Sequence, residues 1–394
     1  MEKYEIKQNK KSLPEKFNRN ELLSDLEFVR ESYVEFFLRN GFSRHTSVDI
    51  IAKETDPSVF FIGSTISPLK HFYLDNEIPQ NGVVIAQPCI RTHNMKNLYT
   101  DNPNKGNTFF NLIGGLAEGN KFKDVCAISL KYFNEELKIP RDRIFARASS
   151  LDDDLIENLK TLYKCPELEI DGRKSSYYRW RYGIKGVTGR GIALAIRNTE
   201  NRNNSMTLGN VIMMESSDHP SAIQWGYGIE SIVSGFYSKE KVIEGSLISQ
   251  VVPYEKSMLP KFADALVAVI EMYNLGLKPD NKGEASYLRG YLKGLAFWAK
   301  RLKIDEISLR DYVIKYCKLK NVVSPEKFFD EIIKEMNFHN KNVNKLEAYL
   351  KTAHSAVNKE NKKFSQLIKQ LSNKYRINPE EVNIILNAFL KTNN

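Results

Sequence analysis

The pattern of apolar positions changes near residue 250. Before that point, short apolar runs typical of strands alternate with amphipathic helical segments, whereas from about residue 255 apolar residues recur at helical spacing in seven successive segments. This pattern predicts a mixed α+β part followed by an all-α part. We expect a flexible extension over residues 1–20, a mixed domain over 21–250 and a helical domain over 251–394.

A long polar loop separates two predicted strands, 82–86 and 108–113, and the second is expected to end at a pair of glycines. Arg91 follows the first strand, and Phe109 and Phe110 open the second. A guanidinium fixed on a sheet offers a fork of donors to a phosphate or carboxylate, and a ring beside it offers a flat surface to a base. The alternative is an ordinary hairpin with a solvated arginine and both rings in the core.

Composition narrows the class of protein. The 394 residues suffice for two or three domains, and 42% hydrophobic with 27% charged residues is typical of a soluble globular protein. No run reaches the length of a membrane span, and the N-terminus lacks the apolar segment of a secretory signal. The four cysteines are far apart with no CxxC pair, which favours reduced thiols in the cytoplasm and argues against a structural zinc.

The positive charge is concentrated in the helical part. Residues 255–394 hold 25 Lys and Arg against 16 Asp and Glu, which accounts for nearly all of the net charge of +10. Such a bias favours an acidic partner, and nucleic acid is the natural candidate. The alternative is a solvated, lysine-rich helical surface.

Other candidates for chemistry are weak. Asp152, Asp153 and Asp154 could bind Mg²⁺, but acidic residues at this position more often begin a helix. The glycine-rich segment 177–196 lacks the GKS or GKT of a phosphate loop and runs into a strand. The six histidines show no metal-ligand spacing, so we expect no resident metal site.

Five sequence blocks, in order, resemble the class II aminoacyl-tRNA synthetases, and specifically the alanyl-tRNA synthetases. The blocks are FVRESYVEFFLRNGF, DPSVFFIGSTISPLKHFYL, QPCIRTH with NTFFNLIGGLAEGNKFK, WRYGIKGVTGRGIAL, and QWGYGIESIV. A later segment, GLKPDNKGEASYLRGYLKGLAFWAKRLK, resembles that family's tRNA-recognition domain. The resemblance covers about residues 22–305 and implies a mainly antiparallel sheet flanked by helices. Counterparts of the editing and C-terminal domains are not expected.

The resemblance implies ATP- and Mg²⁺-dependent activation of an amino acid to an aminoacyl adenylate, followed by transfer to tRNA. Arg91 would be the catalytic residue. The implied ATP-binding residues are Arg91, Lys105, Phe110, Asn111, Gly226 and Gly228. The implied amino-acid pocket consists of Trp180, Asn210, Gln224 and Arg190. The implied tRNA contacts are Arg289, Lys293, Lys300 and Arg301. The chain would be a monomer or a homodimer without a membrane partner.

Several positions depart from the family pattern. Ser231 replaces the arginine of the third motif, Lys105 a loop arginine, Asn111 a glutamate and Gln224 the aspartate that pairs with the substrate ammonium. An added Arg190 with a neutral Gln224 would suit a substrate with an extra acidic group or a masked amine. Three hypotheses therefore stay open. They are a synthetase, a diverged paralogue outside translation that acts on a small molecule, carrier or tRNA, and a non-catalytic RNA-binding module.

Overall fold

The computed structural model describes residues 12–102, 104, 106–162, 165–171, 175–253, 259–322, 325–352 and 364–393. The chain divides into two compact units. The first comprises Met1–Arg91 and Phe109–Gln250, and the second comprises Thr92–Thr108 and Val251–Asn394. The last change of unit along the chain falls between Gln250 and Val251. The loop Thr92–Thr108, however, groups with the helices and not with the strands that it joins.

The first unit contains a nine-stranded sheet. Its strands are β1 (Ser43–Arg44), β2 (Val83–Ile90), β3 (Phe109–Glu118), β4 (Ile144–Ser149), β5 (Glu167–Asp171), β6 (Arg179–Arg181), β7 (Thr188–Arg197), β8 (Ser205–Glu215) and β9 (Ala222–Gly228). The order across the sheet is β1-β2-β3-β9-β8-β7-β4-β5, and β6 also pairs with β7. Only β1 with β2 and β4 with β5 run parallel among the described strands. The predicted mixed, mainly antiparallel fold is confirmed.

Helices cover the two faces of this sheet unequally. They are α1 (Leu22–Arg39), α2 (Ile66–Leu74), α3 (Phe122–Lys131), α4 (Asp153–Lys160) and α5 (Ile229–Phe236). One face, here called the core face, carries residues such as Val84, Ile113 and Trp225, which pack with α1, α3, α4 and α5. The opposite face is called the α2 face, because α2 packs there with Val83, Ile85 and Leu116.

The predicted extension is partly docked on this unit. Leu13 is buried in the main core, and the ring of Phe17 lies 5.1 Å from that of Tyr237. Residues 1–11 lie outside the described residues. Residues 47–51 and 59–62 are joined by a single bridge between Ile51 and Phe61.

The second unit is helical. Its helices are α6 (Leu259–Asn274), α7 (Gly283–Leu302), α8 (Glu306–Leu319), α9 (Pro325–Thr352), α10 (Phe364–Tyr375) and α11 (Pro379–Asn393). Among these, α9 is one continuous helix from Pro325 to Thr352, and residues 353–363 lie outside the described residues. No helix within the described ranges is long and apolar enough to cross a membrane.

The loop Thr92–Thr108 is held within this second unit by buried polar and apolar contacts. The Asp264 carboxylate accepts hydrogen bonds from the Thr108 backbone N–H and hydroxyl, both at 2.6 Å, and from Asn104 Nδ2 at 2.8 Å. The Trp298 indole donates to the Leu98 carbonyl at 2.7 Å. A side chain at Gly294 would overlap Leu98, so this glycine admits the leucine against α7.

The glycine pair Gly114-Gly115 was predicted to close β3, and this prediction is wrong. Both residues lie within a strand that continues to Glu118. A Cβ at Gly115 would overlap the Val83 carbonyl oxygen and the Trp225 ring. The missing side chain therefore makes room for a buried indole on the core face and does not mark a turn.

We expect Gly115→Ala to lower the free energy of unfolding by about 2 to 3 kcal/mol, because a methyl group cannot enter this contact without moving strand or indole. Chemical denaturation would measure the change. Gly63→Ala is the matched control, because its new Cβ would lie 3.5 Å from the nearest atom. Equal stability of the two variants would contradict this packing.

Candidate active site

Arg91 and Phe110 lie together at one end of the α2 face. Phe110 pairs with Cys89 across β2 and β3, and both pack on that face with Ala52 and Ile62. The Arg91 guanidinium carbon lies 4.3 Å from the centre of the Phe110 ring. This is a cation–π contact, and it leaves Phe110 only 5% exposed. The two residues singled out from the sequence are therefore neighbours.

Cys89 lies beneath this pair and is inert. Burial raises the pKa of the Cys89 thiol, and the nearby positive charge of Arg91 only partly opposes that rise. The thiol is therefore protonated at neutral pH and is a poor nucleophile.

Asn111 does not face the same way as Phe110. Because side chains alternate along a strand, Asn111 shares the core-face side of β3 with Ile113. Its backbone N–H lies 3.1 Å from both carboxylate oxygens of the buried Glu230, and its amide Nδ2 donates to the same group at 2.8 Å. Asn111 thus joins β3 to the start of α5, and its predicted contact with ATP stays a prediction.

A hydrogen-bonded chain fixes Gln224 on the α2 face. Thr65 Oγ1 donates to the Trp225 carbonyl at 3.1 Å, and Gln224 Nε2 donates to Thr65 Oγ1 at 3.1 Å. Thr65 is fully buried and Gln224 is 6% exposed. The amide therefore has one orientation, with its nitrogen towards Thr65.

Bare backbone lies next to Gln224. Gly226 pairs with Gly114 on β3 and with Asn210 on β8, and strand alternation places all three on the α2 face. A Cβ at Gly226 would lie 3.3 Å from Thr65 Oγ1, so the space above this glycine is already narrow. Gly228 follows at the end of β9, where a Cβ would lie 3.0 Å from Ser231 Oγ. Glycines at these positions let a flat ligand lie close to the strands.

Trp180 enters the same face from the edge. It pairs with Gly189 through β6 and β7, which places it on the α2 face, and it is half-buried. The Tyr182 ring lies over Gly189, and a Cβ there would be 2.9 Å from Tyr182 Cε2. The Tyr182 and Tyr73 hydroxyls, together with His219 Nδ1, are buried polar atoms without a hydrogen-bond partner among the described residues. This end of the face therefore carries several neutral polar groups.

Arg190 lies on the opposite side of the sheet from the other residues predicted for the amino-acid pocket. Its position in β7 places it on the core-face side, opposite Gly189 and Gly191. There it donates to Asp154 at 2.5 and 2.8 Å and to Glu215 at 3.0 and 3.1 Å. These hydrogen bonds raise the pKa of Arg190 and lower that of Asp154. The guanidinium is thus saturated by carboxylates of its own chain.

The aspartates at the start of α4 serve the same network. Asp152 is 1% exposed at its side chain and accepts two hydrogen bonds from Arg179, at 2.7 and 2.9 Å. Across the part of the chain that the structure describes, no three His, Cys, Asp or Glu residues are grouped to hold a metal ion. Asp152 and Asp154 therefore anchor arginines of the β6–β7 hairpin.

The residues predicted to contact tRNA are engaged within the second unit. Lys293 donates to the Arg376 carbonyl at 2.9 Å, and burial lowers its pKa. Lys300 pairs with Glu347 at 2.9 Å, Arg301 lies 3.3 Å from Asp101, and Arg289 donates to Asn281. Their predicted role in tRNA binding stays a prediction. Lys105, predicted as a phosphate contact, lies outside the described residues.

A buried ion pair secures the loop that leads to Thr65. Lys70 Nζ lies 2.6 Å from Asp56 Oδ2, and Ser58 donates to Asp56 Oδ1 at 2.5 Å. Burial raises the pKa of Asp56, but the hydrogen bonds from Lys70 and Ser58 outweigh this effect and lower it overall. The segment Asp56–Lys70 is thereby tied to α2.

A mixed, mainly antiparallel sheet flanked by helices is the fold that the sequence resemblance implies. Residues 28–216 match the family model described as tRNA synthetases class II (A). Alanine–tRNA ligase of Neorickettsia sennetsu is 27% identical over 168 residues, which are 41% of this chain and 19% of that protein. The Acetivibrio thermocellus enzyme is 32% identical over 36% of this chain and 15% of its own length. The Chloroflexus aurantiacus enzyme is 23% identical over 76% of this chain and 38% of its own.

Residues 28–216, slightly under half of the chain, are thus similar to the class II aminoacyl-tRNA synthetases, and the curated relatives are alanine–tRNA ligases. The matched stretches span 15 to 38% of the length of these curated relatives.

Solved structures of class II synthetases are also similar to this chain. Apo histidyl-tRNA synthetase of S. aureus is 10% identical, with a TM-score of 0.35 over 60% of this chain and 74% of that one. Asparaginyl-tRNA synthetase of Pyrococcus horikoshii, complexed with asparaginyl-adenylate, is 9% identical, with a TM-score of 0.36 over 58% and 68%.

Sequence reasoning did not find Thr65, Glu230 or Tyr182. Thr65 and Glu230 act through contacts more than a hundred residues away in sequence, which no local pattern encodes. The only signal for Tyr182 was its place two residues after Trp180, within the block that carries the resemblance.

We expect Asp56→Asn to lower the free energy of unfolding by about 1 to 3 kcal/mol near neutral pH, because Lys70 loses its buried partner. The folded-state pKa of Asp56 lies below its unfolded value. The stabilisation is therefore present above an unfolded pKa of about 4 and is lost as the pH falls through the folded value. Urea unfolding at neutral and acidic pH would show the gap between variant and wild type narrowing on acidification. Asp142→Asn, which breaks the exposed Asp142–Arg202 pair, is the control and should change little. A gap that stays constant with pH would contradict this account.

Proposed function

We propose that the chain condenses ATP with a small amino acid, or a derivative of one, to form an acyl adenylate on the α2 face. A carboxylate oxygen of the acid attacks the α-phosphorus, and pyrophosphate leaves. The acyl group then passes to an RNA hydroxyl, and AMP leaves. The proposal is supported by the placement of Arg91 over Phe110 on the same face as Gln224, Asn210 and Trp180.

Arg91 and Phe110 would hold the nucleotide. The ring of Phe110 is covered by the Arg91 guanidinium, so a stacked adenine would take the place of that guanidinium. The released guanidinium would then reach the α-phosphate, where two parallel donors stabilise the charge that develops during attack. Arg91 in this proposal has two positions, one on the ring and one on the phosphate.

The sheet register suits an elongated ligand. Gln224 pairs with Leu116, which is six residues along β3 from Phe110. At the rise of an antiparallel strand this corresponds to roughly 20 Å between backbone positions. A base at Phe110 and an acyl group near Gln224 would be joined by ribose and phosphate. Mg²⁺ would enter as the ATP complex and supply charge neutralisation at the phosphates.

The acceptor is proposed to be RNA bound by the second unit. Lys327, Lys334, Lys341 and Lys345 are exposed on one side of α9, and no ion pair within the described residues involves them. Phe338, 47% exposed, lies among them at helical spacing. A row of lysines around an exposed ring matches phosphates with a base to stack. This group is called the α9 lysine stripe.

A second candidate function is acyl transfer to a small molecule or carrier. It is favoured by the internal contacts of Lys293, Lys300 and Arg301, which occupy cations that the resemblance assigns to tRNA.

We expect ATP–pyrophosphate exchange in the presence of amino acids, N-acylated amino acids and 2-hydroxy acids. Arg91→Ala should reduce the exchange rate by about 100-fold, because an oriented charge at the α-phosphate is lost. Arg91→Lys should lose less, since lysine keeps the charge but not the fork. Arg202→Ala, at an exposed ion pair on the first unit, is the control. Absence of exchange with every acid would refute adenylate formation, and full activity of Arg91→Ala would refute the role of Arg91.

Binding of unfractionated tRNA should depend on the α9 lysine stripe. The double variant Lys334→Glu/Lys341→Glu should bind more weakly, and its plot of log affinity against log salt should be less steep by roughly 1.5, because two phosphate contacts are lost. Fluorescence anisotropy over a salt series measures both quantities. Lys369→Glu/Lys391→Glu changes exposed lysines on α10 and α11 and makes the same change in net charge. Equal loss in both double variants would show non-specific attraction, and no loss in either would exclude the stripe.

A further inference from the structure

The orientation of the Gln224 amide determines what the site can recognise. Thr65 has one hydroxyl proton, and it is donated to the Trp225 carbonyl. The Thr65 oxygen must therefore accept from Gln224, which fixes Nε2 towards Thr65. Gln224 Oε1 and the remaining N–H of the same amide form the polar edge next to Gly226. This edge offers one neutral acceptor and one neutral donor.

No carboxylate projects from the centre of this face among the described residues. By strand alternation, the positions between β3 and β7 that share it are Phe110, Leu112, Gly114, Gln224, Gly226, Asn210, Ile212, Gly191 and Ala193. Glu118 lies on the same side at the exposed end of β3, beyond Leu116 and Ala222, which pack with α2.

The other nearby acids already have partners. Asp56 pairs with Lys70, and Glu230 accepts from Asn111. Asp154 and Glu215 hold Arg190 on the core-face side. Asp218, near Gly186 in the turn between β6 and β7, accepts a hydrogen bond from Ser217. The strand positions at the acyl end of the face are thus neutral, and Arg91 is the cation at its other end.

A free α-ammonium group of the ligand would have no negatively charged partner at these strand positions. A cation moved from water to a site with only a neutral amide loses more hydration than the amide replaces. A hydroxyl or an acylated amine, in contrast, donates to Oε1 and carries an oxygen for the amide N–H. From this geometry, and resting on the proposed adenylation, we infer that the activated acid has an uncharged, hydrogen-bonding α-substituent. It is a 2-hydroxy acid or an N-acylated amino acid.

The test compares three stable acyl-adenylate mimics, the sulfamoyl adenosines of L-lactate, N-acetyl-L-alanine and L-alanine, by calorimetry with the full chain. We expect the lactyl or the N-acetylalanyl compound to bind at least ten times more tightly than the alanyl compound. The stronger of the two identifies the substituent. Gln224→Glu has nearly the same shape and adds a negative charge, so it should raise affinity for the alanyl compound at least tenfold.

Gln224→Met is the matched control, because it keeps the length of the side chain but lacks both charge and amide. This variant should bind the lactyl and N-acetylalanyl compounds more weakly than wild type does. It should not bind the alanyl compound more tightly. ATP binding to each variant reports whether the face is folded. Wild-type preference for the alanyl compound, or an unchanged order in Gln224→Glu that still binds ATP, would overturn this inference alone. If neither ATP nor any mimic binds the wild type, the proposed function fails and this inference fails with it.

Discussion

The pairing of β2, β3 and β9 is the constraint on which the rest of the first unit depends. Cys89 opposite Phe110, and Gly114 opposite Gly226, fix which side chains share a face. Because strands alternate with a period of two, a slip by one residue would turn Phe110 and Gln224 into the hydrophobic core. It would also bring Trp225 out of contact with Gly115 and Tyr33. The same packing that stabilises the core therefore aligns the site.

Charge is distributed unevenly between the two faces. At the edge of the core face, Arg179 forms an ion pair with Asp152. Arg190 forms ion pairs with Asp154 and Glu215, so both guanidinium charges are neutralised locally. The middle of the α2 face has amides, glycine backbone and aromatic rings, with Arg91 at one end. In the proposed function, this face selects ligands through one contact from Arg91 to an anionic group and through several neutral contacts. In this proposal, specificity depends on shape and hydrogen bonding more than on a carboxylate that pairs with a positive group of the ligand.

Local sequence signals predicted the elements well where periodicity and packing agree. The strand pair around Arg91 and Phe110 follows from its apolar runs and appears in the structure. The ordered blocks of the alanyl group predicted the mainly antiparallel sheet. The prediction that β3 ends at Gly114-Gly115 was wrong, because a glycine pair usually indicates a turn. Here Gly115 makes room for the ring of Trp225, which is distant in sequence.

The candidate site was predicted less completely than the fold. Arg91, Phe110, Gln224, Asn210 and Trp180 share one face, as a site requires. Arg190 and Asn111 do not, because strand parity and distant acidic partners place them on the other side. Spacing along the chain does not predict that Asp154 pairs with Arg190. It also does not predict that the Thr65 hydroxyl orients the Gln224 amide.

The loop Thr92–Thr108 belongs to the helical unit, and this has a consequence for cutting the protein into fragments. Leu98 and Tyr99 are 2% and 3% exposed, and the surfaces that bury them come from α7. A fragment cut after Gln250 would keep the loop but lose these surfaces, together with Asp264 and its three hydrogen bonds. In such a fragment, the loop between β2 and β3 would expose the apolar side chains of Leu98 and Tyr99 to solvent. The two units are interleaved along the sequence, so no single cleavage separates them.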